Sequence, residues 1–143
     1  MLQVMRKREI AAPAEAVWAT VRDFPGIGPL VPPFENIGTT DGNNAGTIRV
    51  MKSGAAVFVE RLDSNDDKAY IQRYSIPWAT VPVEDYTGCI EVRSLGDKRC
   101  EVVWSNNFRL ADEYVAEFKE MIGEVFAKGL LILSELHAKK SGV

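Results

Sequence analysis

Apolar and polar positions alternate over residues 3–10 (QVMRKREI), with Val4, Arg6 and Arg8 on one side and Met5, Lys7 and Glu9 on the other; this predicts a strand. The period then lengthens. Val17, Trp18 and Val21 fall at helical spacing behind Pro13, whose missing N–H suits a first helical turn, and Glu15, whose charge suits the positive helix start. Asp23-Phe24-Pro25-Gly26 ends that helix, and the glycines and prolines of 26–33 allow at most one bent helical turn. After Phe34, β-rich runs predict strands over Gly46–Met51, Ala56–Leu62, Ala69–Ile76, Val83–Ser94 and Arg99–Leu110. Between them lie turns at Ser53-Gly54, Ser64–Asp67 and Gly96-Asp97, and a longer connection over Trp78–Pro82. Sequential strands with short turns predict an antiparallel meander. From Ala111 to Lys140 there is no proline, and Val115, Phe118, Ile122, Val125, Gly129, Ile132 and Leu136 recur at steps of three and four, the mark of a long amphipathic helix. Asp112 suits its N-cap, and Lys139 and Lys140 suit its negative C-terminal end. Met121, Phe126, Leu130, Leu131 and Leu133 make its second face apolar too, so it needs cover on more than one side.

Strands segregated from one long helix predict an α+β chain, a single domain over 1–143. A curved antiparallel sheet of about seven strands would wrap the C-terminal helix, with two short helices after strand one. One rod cannot fill the hollow of a strongly curved sheet, which leaves a cavity. A small-molecule cavity would measure several hundred Å³.

The last hairpin sorts its own faces. If Leu95-Gly96-Asp97 is a three-residue loop, Val92 lies opposite Cys100, Ile90 opposite Val102, Gly88 opposite Trp104 and Tyr86 opposite Asn106. The inward row is then Tyr86, Gly88, Ile90, Val92, Cys100, Val102, Trp104, Asn106 and Phe108, and Gly88 leaves room for the Trp104 ring. The outward row, from Asp85 and Thr87 to Val103 and Arg109, is mostly polar. Cys89 and Cys100 fall on opposite faces, which argues against a disulfide between them and suits a reducing compartment.

Composition narrows the function classes. Charged residues are 26% and hydrophobic residues 46%, normal for a globular chain. Lys+Arg number 17 against Asp+Glu 20, a net charge of -3, which argues against a nucleic-acid partner because duplex binding needs a basic surface. There is no run of the roughly 20 apolar residues that span a bilayer, and MLQVMRKREI has no apolar core of a signal peptide, so integral membrane association is not expected and the default location is cytoplasmic. Two cysteines and one histidine make a poor metal site, so no metal or other cofactor is expected. His137, near the helix end, reads as an exposed residue favoured by the helix dipole rather than as a base.

The sequence resembles the polyketide cyclase/dehydrase and lipid-transport group of the START-related, pollen-allergen-like helix-grip superfamily. The marks are Ala12-Pro13-Ala14-Glu15-Ala16-Val17-Trp18, Gly46-Thr47-Ile48-Arg49, Glu60-Arg61-Leu62-Asp63, Tyr74-Ser75-Ile76, Pro82-Val83-Glu84-Asp85-Tyr86, Val103-Trp104 with Phe108, and Gly129-Leu130. They run through nearly the whole chain. The resemblance implies that Glu60 and Tyr86 face the cavity, as matching residues do in plant hormone receptors of this fold. It also implies that Met121, Val125 and Gly129 line it from the helix. Gly129 serves either close packing or ligand room. Ser53 and Gly54, with Met51, Lys52 and Trp78, would border the entrance. The receptors' gate sequence is missing at Ser53-Gly54-Ala55-Ala56 and their latch sequence near Thr80-Val81-Pro82, which counts against a hormone-receptor role.

Arg49, Glu60 and Tyr74 facing inward would make a polar cluster in an apolar hollow. Arg49 and Glu60 either pair structurally or anchor a ligand's polar end. The expected function is binding of a small hydrophobic or amphipathic molecule (lipid, polyketide or isoprenoid-like). The expected ligand-binding residues are Arg49, Glu60, Tyr74, Tyr86, Gly88, Trp104, Asn106, Met121, Val125 and Gly129. The alternative is a polyketide aromatase/cyclase or dehydratase using Glu60, Tyr86 and Arg49 as acid–base groups.

Overall fold

The computed structural model describes residues 1–140, with side-chain surroundings through residue 138. The side chains of Lys139 and Lys140, and the 141–143 end of the expected domain, lie outside the described residues. The elements in order are β1 (Met5–Ile10), α1 (Ala14–Val21), a 3-10 segment (Phe24–Leu30), β2 (Glu35–Thr39), β3 (Ile48–Ser53), β4 (Ala56–Asp66), β5 (Ile71–Ala79), β6 (Glu84–Ser94), β7 (Cys100–Arg109) and α2 (Asp112–Lys140). This is an α+β helix-grip fold. Its seven-stranded antiparallel sheet runs β1-β7-β6-β5-β4-β3-β2.

Pro13 sits just outside α1, and its carbonyl accepts the amides of Ala16 and Val17. Ala14, Val17, Trp18 and Val21 are the buried side of that helix. The next segment is longer than the single turn expected. Phe24, Ile27 and Leu30 are buried at a strict spacing of three, the period of a 3-10 helix, so its apolar side chains stack on one edge despite Pro25 and Pro29.

Several boundaries depart from the pattern-based reading. β4 runs through to Asp66 instead of turning at Ser64, because the Asp66 carboxylate accepts the amides of Lys68 and Ala69 at 3.0 Å each and closes the turn there. In β6–β7, Val92 pairs with Val102, Ile90 with Trp104 and Gly88 with Asn106. The loop is therefore Leu95–Arg99, closed by a 2.9 Å bond from Leu95 N–H to Arg99 O. The slip from the expected pairing is two residues. An even slip keeps every side chain on its face, so the inward row is buried throughout from Tyr86 to Phe108. Val103, on the outward row, is buried between Lys7 and Glu91. His137 is not exposed: it is 2% accessible, and its Nε2 lies 2.9 Å from the Thr20 hydroxyl of α1.

Candidate functional site

The inward faces of β3, β4 and β5 meet α2 and the 3-10 segment around a cavity of about 50 Å³. It is much smaller than the several hundred Å³ expected, because aromatic side chains occupy the hollow. Trp104 stacks on Phe126 of α2 with ring centroids 4.6 Å apart. Phe108 packs edge-on against Phe118 at 5.1 Å.

Arg49 on β3 and Glu60 on β4 are directly paired in register. The Arg49 Nε–H donates to Glu60 Oε1 at 2.7 Å, and an Nη1–H donates to the Phe24 carbonyl at 2.8 Å. The Arg49 guanidinium carbon stands 3.7 Å from the Phe24 ring centroid and 5.2 Å from that of Tyr74. Arg49 is 1% accessible, so its charge is tolerated only because these partners replace water. Glu60 keeps some exposure, with 15% of its side chain accessible.

Tyr74 on β5 and Tyr86 on β6 complete the polar cluster. The Trp104 indole N–H donates to the Tyr74 hydroxyl at 3.0 Å, and the Asn106 amide donates to the Tyr86 hydroxyl at 3.1 Å. Burial, then the nearby Glu60 charge, pushes the Tyr74 hydroxyl well above its ordinary pKa. Burial, then Tyr74, does the same to Tyr86. Cys100 is fully buried, and burial raises its thiol to about 11, so it stays protonated at neutral pH.

Arg49, Glu60, Tyr74, Tyr86, Trp104, Met121 and Val125 line the cavity together. Three other sequence candidates stand behind its wall. Gly88 faces Tyr74, and a Cβ there would run into that ring, so the space it leaves belongs to Tyr74 and not to Trp104. Asn106 is spent on Val4 N–H, at 2.8 Å, and on Tyr86. At Gly129 a Cβ would lie 2.5 Å from the Leu30 carbonyl oxygen and 2.7 Å from Trp104 Cζ3, so close packing accounts for this glycine and ligand room does not.

Of the entrance candidates, Ser53 borders an open groove of about 550 Å³ that shares Phe34, Phe58, Met121 and Val125 with the cavity. Gly54 makes the β3–β4 turn at φ 59° and borders neither space. Trp78 lies within β5, not in a connection, and is 56% exposed. The β4–β5 register slips between Val59 and Arg61, next to Pro77, which sets Trp78 opposite Val59. Glu60 faces the cavity, so its neighbour Val59, and Trp78 with it, point to the outer face. A second groove, of about 290 Å³, runs along Thr80–Pro82 and shares Phe118 and Met121 with the cavity. Met121 thus stands where the interior meets both grooves.

Sequence reasoning did not propose Phe58, Phe118, Ile122 and Phe126 as lining residues. Their signal was present, since Phe58 shares a strand face with Glu60 and the others lie on the apolar faces of α2. Phe24 carried no such signal, because its carbonyl and ring reach Arg49 across 25 positions of chain.

A family model described as polyketide cyclase / dehydrase and lipid transport matches residues 1–136. The chain belongs to this family. No curated protein matches the chain. Among solved structures, a Thermobifida fusca protein determined by solution NMR is 33% identical, with a TM-score of 0.82 over 97% of this chain and 95% of that one. XoxI of Bacillus cereus is 23% identical, with a TM-score of 0.81 over 99% of each chain. Norcoclaurine synthase of Thalictrum flavum, solved with dopamine and hydroxybenzaldehyde, is 22% identical, with a TM-score of 0.79 over 96% of this chain and 87% of that one. Membership and fold are consistent with a ligand-binding cavity. Among the described residues, no helix is long and apolar enough to cross a membrane, and no group of three or more His, Cys, Asp or Glu could hold a metal ion.

Proposed function

We propose that the protein holds a small, mostly apolar molecule of lipid, polyketide or isoprenoid type between its sheet and α2, with the molecule's polar end against Arg49, Glu60, Tyr74 and Tyr86. One observation carries this reading: a buried ion pair and two tyrosines meet on the wall of an otherwise apolar cavity, which shares side chains with a surface groove. A few placed polar groups among aromatics is the usual make-up of a small-molecule site. Apolar burial, at roughly 25 cal/mol per Å², supplies the driving force. The closed cavity is too small for such a molecule, so entry requires Met121 to swing aside and join the cavity to the groove. Proton transfer is a weaker reading of the same groups. The tyrosine hydroxyls are held far from neutral pKa, and Glu60 is tied to Arg49. The free thiols of Cys89 and Cys100 suit a cytoplasmic setting.

The test is solvent extraction and mass spectrometry of the purified protein, together with titration of the neutral fluorophore N-phenyl-1-naphthylamine. The wild type is expected to yield a bound apolar compound or to take up the fluorophore. Met121→Trp, which plugs the junction, should weaken uptake at least about tenfold, the effect of losing roughly 1.4 kcal/mol of binding energy. Absence of both a retained compound and fluorophore uptake in the wild type would refute the proposal.

A further inference from the structure

We infer that the polar end of the bound molecule is an uncharged hydrogen-bond acceptor, a carbonyl or ether oxygen, and that the cavity discriminates against carboxylates and amines. This rests on the cavity-binding reading above and adds the chemical class of the ligand.

The proton count around the tyrosines carries the first half. The Val4 N–H donates to Asn106 Oδ1 at 2.8 Å, which decides the orientation of that amide. Its NH₂ group must therefore face Tyr86, and it does so at 3.1 Å. An indole nitrogen can only donate, so Tyr74 accepts from Trp104. Both phenolic oxygens thus receive an N–H and still carry their own protons. Both residues line the cavity, so both protons stand on its wall. Further N–H donors remain on the Arg49 guanidinium beyond those given to Glu60 and the Phe24 carbonyl. The wall is rich in donors.

Charge carries the second half. Among the described residues that line the cavity, Arg49 and Glu60 are the charged ones, and they neutralise each other across 2.7 Å. A ligand carboxylate would bring a second anion beside Glu60 in a mostly apolar, low-dielectric space. A ligand ammonium would bring a second cation beside the buried Arg49 guanidinium. An uncharged oxygen accepts a tyrosine proton and upsets neither charge.

The test uses small probes of matched shape at pH 7: ethylbenzene, acetophenone, benzoate and benzylamine. Each is titrated into ¹⁵N-labelled protein while the indole N–H resonance of Trp104 is followed. Acetophenone is expected to bind at least about tenfold more tightly than benzoate or benzylamine, the scale of an uncompensated buried charge after relaxation. At least one of Tyr74→Phe and Tyr86→Phe should weaken acetophenone about fivefold, to the level of ethylbenzene, as losing one ordinary hydrogen bond does. Glu60→Gln should remove most of the penalty on benzoate, because Arg49 then lacks its counter-charge. If that variant does not fold, the tyrosine substitutions decide alone. Benzoate or benzylamine binding as tightly as acetophenone overturns the inference and leaves cavity binding intact, as does acetophenone binding that ignores both tyrosine substitutions. If no probe perturbs the cavity resonances, both readings fall.

Discussion

At Gly129 two effects oppose each other. Alanine in a helix interior is favoured over glycine by about 1 kcal/mol. A Cβ there would press on a backbone oxygen, that of Leu30, and on the Trp104 ring, neither of which can yield cheaply. Overpacking of this kind costs about 1–3 kcal/mol, so the clash wins. Gly129→Ala is expected to lower stability by about 1–2 kcal/mol, read from the urea midpoint at constant slope. A stabilised variant would mean that the Leu30 backbone and Trp104 can shift and that close packing does not account for the glycine. The residue scale is also where sequence reasoning reached least far. Glycine is legible as a missing side chain, but whose atoms fill the gap is not. Gly88 yields to Tyr74, from the adjacent strand β5, and Gly129 yields to Trp104 and Leu30, both distant in the chain.

The elements were more legible than their ends. The long apolar stripes of α2, β6 and β7 give repeated evidence of period, so local errors average out. β2 is only five residues with Ile37 and Gly38 at an irregular pairing, and such a run offers no clear alternation. β5 illustrates how a break in period misleads. Pro77 cannot donate to a ladder, and the slip beside it turns Trp78 outward. Of the three tryptophans, Trp18 and Trp104 are each 4% exposed and Trp78 is 56% exposed. Trp78→Phe is therefore expected to remove most of the iodide-quenchable emission while changing stability by less than about 0.5 kcal/mol. Quenching that survives the substitution would show that Trp78 is turned inward in solution.

For the molecule as a whole, the buried tyrosines tie stability to alkaline pH. An unfolded tyrosine ionises near its ordinary value of 10.0, whereas burial raises Tyr74 and Tyr86 above that in the folded chain. Below pH 10.0 both states keep the proton and the full stability is present. Above it the unfolded chain releases protons that the folded chain retains, so stability falls as pH rises. Urea unfolding at pH 8 to 11 should show this decline beginning near pH 10, and Tyr74→Phe should flatten it. An unchanged slope in that variant would place the loss elsewhere.

The sequence by itself determined the α+β class, the order of the elements and the sorting of β6 and β7 into a buried and a solvated face. These depend on periodicity, which repeats along the chain and is insensitive to a slip of two residues. Tertiary structure alone decided the absolute register, the burial of His137 against Thr20, the grip of Phe24 on Arg49 and the size of the cavity. Each of these depends on how far side chains from remote segments reach into one shared space. Such packing is a matter of volume and approach, which no local pattern encodes.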